Sequence, residues 1–174
     1  LPWGADVVVH RGSVESFDAC ASPSGELYAV VVGTAVQFGG QMGVYVYRSA
    51  DRGQSWNLVI DFPTTTLTNV RLVVGERVDL DMDVVHMFFA DDSTHKILAR
   101  NLLVGPDGRP HGYADRTFGS SKPRRCFEVA MSYCPIPSTP ESEVDRYSIV
   151  AAQYVPGLSE IHAFNSTDFG SNWE

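Results

Sequence analysis

Ser49-Ala50-Asp51-Arg52-Gly53-Gln54-Ser55-Trp56 follows the alternating run Gly43-Val44-Tyr45-Val46-Tyr47-Arg48 and has the pattern S-x-D-x-G-x-x-W. The pattern returns at Ser166-Thr167-Asp168-Phe169-Gly170-Ser171-Asn172-Trp173, directly after Glu160-Ile161-His162-Ala163-Phe164-Asn165. Four fixed positions, twice in the same strand context, mark an internal repeat. The chemistry of the motif is turn closure. Glycine supplies positive φ where the chain reverses. Ser and Asp side chains bond backbone N–H groups of the turn. The indole then folds beneath and buries apolar surface. Ser49, Asp51, Gly53 and Trp56, with Ser166, Asp168, Gly170 and Trp173, are therefore read as structural.

Working outward, short runs rich in β-branched and aromatic residues dominate the chain, separated by Gly, Pro, Asp and Ser. They are Asp6–His10, Leu27–Val32, Gly43–Arg48, Leu58–Phe62, Val84–Phe89, Ile97–Arg100, Phe127–Met131, Tyr147–Ala152 and Glu160–Phe164. No stretch sustains a 3.6-residue apolar period between helix caps. Pro23-Ser24-Gly25-Glu26 and Pro106-Asp107-Gly108 read as tight turns, and 135–144 as a Pro-rich surface loop. Lys96–Asn101 looks like the strand before each motif, followed by a degenerate turn, Leu102–Gly108, that lacks the tryptophan. The chain thus divides into three units of about 50–60 residues.

Composition bounds the function. The 174 residues carry 13 Lys+Arg against 21 Asp+Glu, a net charge of -8, with 44% hydrophobic and 20% charged. That is the balance of one globular β domain. The acidic sign argues against a nucleic-acid partner, and no apolar run approaches the roughly 20 residues of a membrane span. Cys20, Cys126 and Cys134 include no CxxC, so a Cys-based zinc site is not expected. Cys126 and Cys134 either pair across a local loop or remain buried thiols. Asn165-Ser166-Thr167 matches a glycosylation sequon. The chain starts at Leu1-Pro2-Trp3-Gly4 without Met, which fits a processed chain or an excised piece.

The S-x-D-x-G-x-x-W element resembles the Asp-box of sialidases and other BNR-repeat proteins, where the box joins the third and fourth strands of β-propeller blades. The resemblance covers the chain as three blade-like units, 11–62, 67–118 and 125–174. It implies an all-β, sialidase-like propeller of four-stranded antiparallel blades, extracellular or cell-surface. Leu58–Phe62 and Tyr113–Phe118 would be outer strands. The third unit stops at its tryptophan, and residues 5–10 would supply the closing outer strand, making twelve strands in all. Propellers typically have four to eight blades. Three imply either a homodimer closing a six-bladed ring or part of a longer propeller.

Inner strands of a propeller line its channel. The candidates are Phe17–Ala21, Leu80–Val84 and Phe127–Met131, each with an acid after an apolar residue: Asp18, Asp81 and Glu128. Asp79, Asp81 and Asp83 alternate, so on a strand they share one face. Gathered carboxylates are the ligands Ca²⁺ takes and the acids a glycosidase uses; otherwise they form a solvated wall. Asp81, Asp83 and Glu128 are the catalytic candidates, and Asp79, Asp81 and Asp83 the Ca²⁺ candidates. No other cofactor is expected.

Sialidases grip a carboxylate with three arginines, pair a tyrosine nucleophile with a glutamate, and carry an R-I-P segment. No R-I-P occurs here. Arg11, Arg71, Arg77, Arg100, Arg124, Arg125, Tyr133 and Tyr147 lie outside any matching segment, so no catalytic residue is carried over. Nor is there a GxSxG, HExxH or P-loop. The reading is a non-catalytic propeller module that binds glycan or protein; the alternative is a sialidase-like glycoside hydrolase with a divergent or incomplete site.

Overall fold

The structure, a computed structural model, describes residues 6–118, 127–134, 146–155, 160–166 and 172–173. Among them are eleven strands and two single-turn 3-10 segments, Val36–Phe38 and Val78–Leu80. The first sheet is β1 (Val14–Ala21), β2 (Leu27–Ala35), β3 (Gln41–Ser49) and β4 (Asn57–Pro63); the second is β5 (Leu67–Arg77), β6 (Met82–Asp91), β7 (Lys96–Val104) and β8 (Pro110–Phe118). The third holds β9 (Phe127–Cys134), β10 (Arg146–Val155) and β11 (Glu160–Ser166). Every pairing is antiparallel and between chain neighbours, the outcome that short hairpin connections favour.

The period-two pattern stacks the sheets. Tyr28, Val30 and Val32 of β2 share a face with Val44 and Val46 of β3, and pack on Leu72, Val74, Val85, Met87, Phe89, Leu102 and Val104 of the second sheet. The opposite face of the second sheet, with Val73, Phe88, Ala90, Ile97, Ala99 and Phe118, packs on Phe127, Ile149 and Ala151 of the third. β6 is therefore buried on both faces, which is why Val84–Ala90 is apolar on both faces at every position but His86. A third cluster, of Ala29, Val31, Ala35, Tyr45 and Tyr47, lies on the far face of the first sheet, against Val9, Trp56 and Leu58.

The first strands of the three sheets lie side by side. Alternate N–H groups of β5 pair with β6, leaving those of Val70, Leu72 and Val74 to point at β1. Ser16 Oγ accepts the Val70 N–H at 3.2 Å and Asp18 Oδ2 the Leu72 N–H at 2.9 Å, while the Cys20 thiol meets the Val74 backbone. Three alternate side chains of β1 thus satisfy an edge that would otherwise be bare.

Two expectations are corrected. Residues 6–10 form no strand: His10 bonds Tyr47 Oη at 2.8 Å and the Thr34 carbonyl at 2.9 Å, and Val9 packs on the first sheet. Close approach draws this segment in. A Cβ on Gly12 would sit 1.7 Å from the Thr34 carbonyl oxygen, and one on Gly33 2.0 Å from that of Ser13. Residues 6–10 are thus held along the first sheet of their own chain without forming a strand. Leu80–Val84 is also not an inner strand. That place belongs to β5, while Leu80–Val84 spans the end of a 3-10 turn, Asp81 at φ 53°, and the start of β6. The expected twelfth strand is not among the described residues.

Candidate functional site

Three apolar stripes facing the first inter-sheet layer end in polar residues at the same end of the molecule. The β2 stripe ends in Tyr28, with Glu26 just before the strand; the β3 stripe ends in Arg48; the β6 stripe of Phe89, Met87 and Val85 ends in Asp83. Stacking brings these ends together. Arg48 grips both Glu26 carboxylate oxygens, through Nε and Nη2, and Nη2 also donates to the Pro106 carbonyl at 3.0 Å. The Tyr28 hydroxyl donates to Asp83 Oδ2 at 2.8 Å. Glu26, Arg48 and Asp83, with Glu76 and Asp81, line a pocket of about 90 Å³.

The electrostatics follow from burial. Burial pushes the Asp83 carboxyl up, the Tyr28 hydrogen bond opposing, and Glu26 nearby adds like-charge repulsion. Burial and the Asp83 charge push the Tyr28 phenol up too, so it stays a donor. The bond to Glu26 holds Arg48 charged. One guanidinium balances a cluster of acids, an arrangement that can hold a proton or water.

Of the predicted acids, Asp81 and Asp83 line this pocket, whereas Asp79 and Glu128 are not in its lining. Asp79 sits in the 3-10 segment beside Arg77 (2.6 and 2.7 Å), which lowers its pKa; Asp81 lies in the left-handed region, and Asp83 is buried. The three therefore do not share a strand face. Among the described residues no three His, Cys, Asp or Glu side chains are grouped to hold a metal. Glu128, on β9, is held ionised by two 3.0 Å bonds from Arg71, which joins the inner edges of the second and third sheets. Arg100 pairs with Asp115 while stacking over Phe62 and Tyr113. Arg71, Arg77 and Arg100 are each committed to a different carboxylate rather than converging on one point. Lys122, Arg124, Arg125, Cys126 and the 135–144 loop, with the side chains of Tyr133, Cys134 and Tyr147, lie outside the described residues.

A second pocket, of about 270 Å³, opens on the third-sheet side of the second sheet at the same end, lined by Arg77, Asn101, Leu103 and Ala114. Next to it His86, fully buried, donates from Nδ1 to Asn101 Oδ1 at 2.8 Å; burial pushes it down to about 4, so it is neutral.

The Ser49–Trp56 turn closes as its residue types require. Ser49 Oγ accepts the Gly53 N–H and donates to Asp51 Oδ1, both at 2.8 Å. Asp51 accepts the Ser55 N–H at 2.8 Å and the Ser55 hydroxyl at 2.6 Å, which lowers its carboxyl to about 2. Gly53 lies at φ 86°. Trp56 is half-buried on the face of the first sheet away from the second. Of the second copy, Ser166 is buried and Trp173 stacks on Phe118 (4.4 Å, 15°) and meets Phe88 edge-on (5.5 Å, 89°); Asp168 and Gly170 lie outside the described residues. Trp173 thus packs towards the second sheet, and Trp56 on the face of the first sheet away from the second.

Sequence reading missed Tyr28, Glu26 and Arg48. The available signal was Val44-x-Val46-x-Arg48, one charge closing an apolar stripe. No family model matches the chain, and no curated protein matches it.

Proposed function

We propose that the chain is part of an Asp-box β-propeller, extracellular or at the cell surface, and acts as a non-catalytic module that binds glycan or protein on a loop face. The observation that carries this reading is the pair of indoles. Trp56 and Trp173 end the same motif, follow equivalent strands and aim at the same side of their sheets. That is the behaviour expected of blades repeated about an axis. The non-catalytic side of the reading is supported by the pocket beside Asp83. It is far below the roughly 300–1,000 Å³ of small-molecule sites, and the Arg48–Glu26 pair forms part of its wall. The alternative, a sialidase-like glycoside hydrolase, draws on the raised Asp83 carboxyl beside Tyr28.

A glycan array and fluorogenic sialosides and β-glucosides test both. Saturable glycan binding without turnover is expected. Turnover that Asp83→Asn or Asp81→Asn abolishes, with the fold retained by circular dichroism, selects the hydrolase instead.

A further inference from the structure

The large apolar side chains left in solvent gather at the two ends of the three-sheet stack. Phe17, 69% exposed, shares the outer face of the first sheet through its register with Val31. Phe38 stacks on Tyr45 of that face (5.6 Å, 6°), and exposed Val7 and Val8 lead into Val9, which packs there. At the opposite end, Val150, Tyr154 and Ile161 are exposed on the outer face of the third sheet, Ile161 to 75%, with Tyr154 and Ile161 cross-strand partners. A shallow, mainly apolar groove of about 190 Å³ runs between them, past Ala152 and Glu128. The remaining exposed apolar residues, Val14, Val36, Leu80 and Tyr113, lie at element ends or on the outer strand β8.

The geometry points to a second copy of this chain as the occupant: the outer face of the third sheet docks on the outer face of the first sheet of the other copy, in a closed twofold pair with two such contacts. The reason is continuity with the interfaces inside one chain. Phe88, on the second strand of its sheet, receives Trp173 from the following sheet. Val150, Ala152 and Tyr154, on the second strand of the third sheet, present the corresponding surface with no following sheet among the described residues. Trp56 aims at the position where such a surface would stand. The two end faces differ, so one contact is head-to-tail; a rotation that closes it twice gives a finite pair rather than a filament. Apolar faces of this kind are otherwise costly in water. Val7 and Val8 enter the contact from above the first sheet, not as an exchanged strand. The inference needs the stacking order alone and not the ligand reading above, so a failed glycan screen leaves it standing.

Sedimentation velocity and light scattering on the whole chain, up to about 100 µM (a free energy near -5.5 kcal/mol), should give twice the chain mass. Ile161→Asp and Phe17→Asp should each weaken association about tenfold or more, with the far-UV spectrum retained. Should either variant lose its fold, mixing Ile161→Cys copies with Phe17→Cys copies under mild oxidation keeps the question decidable: a cross-link formed only in the mixture supports the pairing. A folded monomer at the highest concentration overturns it and leaves the face to another part of a longer protein or to a foreign partner. Cross-links formed equally by Ile161→Cys alone overturn it too, because they report a face-to-same-face contact.

Discussion

The turns that end the third strands of the first and second sheets solve one problem in two ways. The first, Ser49–Trp56, is long and carries its own pin: side-chain bonds from Ser49 and Asp51 shape it, and Trp56 seats it on the sheet. The second, Gly105–Arg109, is short and closes mainly through its backbone, with the Gly105 N–H on the Arg109 carbonyl at 3.0 Å and the Gly108 N–H on the Gly105 carbonyl at 2.9 Å, while Asp107 Oδ1 accepts the Arg109 N–H at 3.0 Å. Its pin is borrowed. Arg48 reaches from the first sheet to the Pro106 carbonyl, and a Cβ on Gly108 would lie 2.4 Å from Arg48 Nη1. A turn without an indole therefore need not be a weak one, because here a guanidinium from the neighbouring sheet holds it.

Removing the borrowed pin should do the most damage. Arg48→Met frees the second turn and leaves the buried Asp83 and the partly buried Glu26 without a countercharge, which should cost about 3 kcal/mol in urea unfolding. A loss below about 1 kcal/mol would show that the acids protonate or find water. Trp56→Ala should cost somewhat less, about 2–3 kcal/mol, because the indole is half-buried. Its hydrogen-exchange signature should be confined to the first sheet. The two glycines sharpen the contrast. Gly53 (φ 86°) and Gly108 (φ 78°) both lie in the left-handed region. A Cβ at Gly53 meets only Leu27 at 3.6 Å, whereas at Gly108 it meets Arg48. Gly53→Ala should cost about 1 kcal/mol and Gly108→Ala about 2 kcal/mol. The excess should vanish when Arg48→Met is the background, a coupling that a double-mutant cycle reads directly.

The smallest effect is on the acid limb. Asp51 titrates near 2 in the fold, below an ordinary aspartate, because it accepts bonds from Ser55 and Ser49. The unfolded chain then binds the proton more readily. Its contribution is present above about pH 4 and lost as pH falls towards 2. Asp51→Asn should flatten urea midpoints over that window.

Elements whose outcome depends on neighbours in sequence were legible. The alternation in Gly43–Arg48 and the closure chemistry of Ser49–Trp56 are local, and both appear as read. β5 was missed because Thr68, Asn69 and Arg71 dilute its apolar run; the signal was Val70, Leu72 and Val74 at period two, all buried. Asp6–His10 has strand composition, but two glycine approaches and the partners of His10 decide its path. Asp79, Asp81 and Asp83 mimic strand alternation only if the backbone is extended, and a 3-10 turn followed by a positive φ breaks it. The Arg48–Glu26–Asp83 meeting needs residues from two sheets in one register and one stacking order, which no local window contains.

The rungs that Ser16, Asp18 and Cys20 place on β5 bear on how this protein could misassemble. A bare strand margin is a template for fibril growth, since a foreign chain can add there without disturbing the rest. Here the Val70, Leu72 and Val74 amides are already capped, so seeding from that margin would first require β1 to peel away. Recruitment should begin instead along the rims at β8 and β11, and a charge-reversing or proline change there should lengthen the lag before fibrils form more than any change near Asp18.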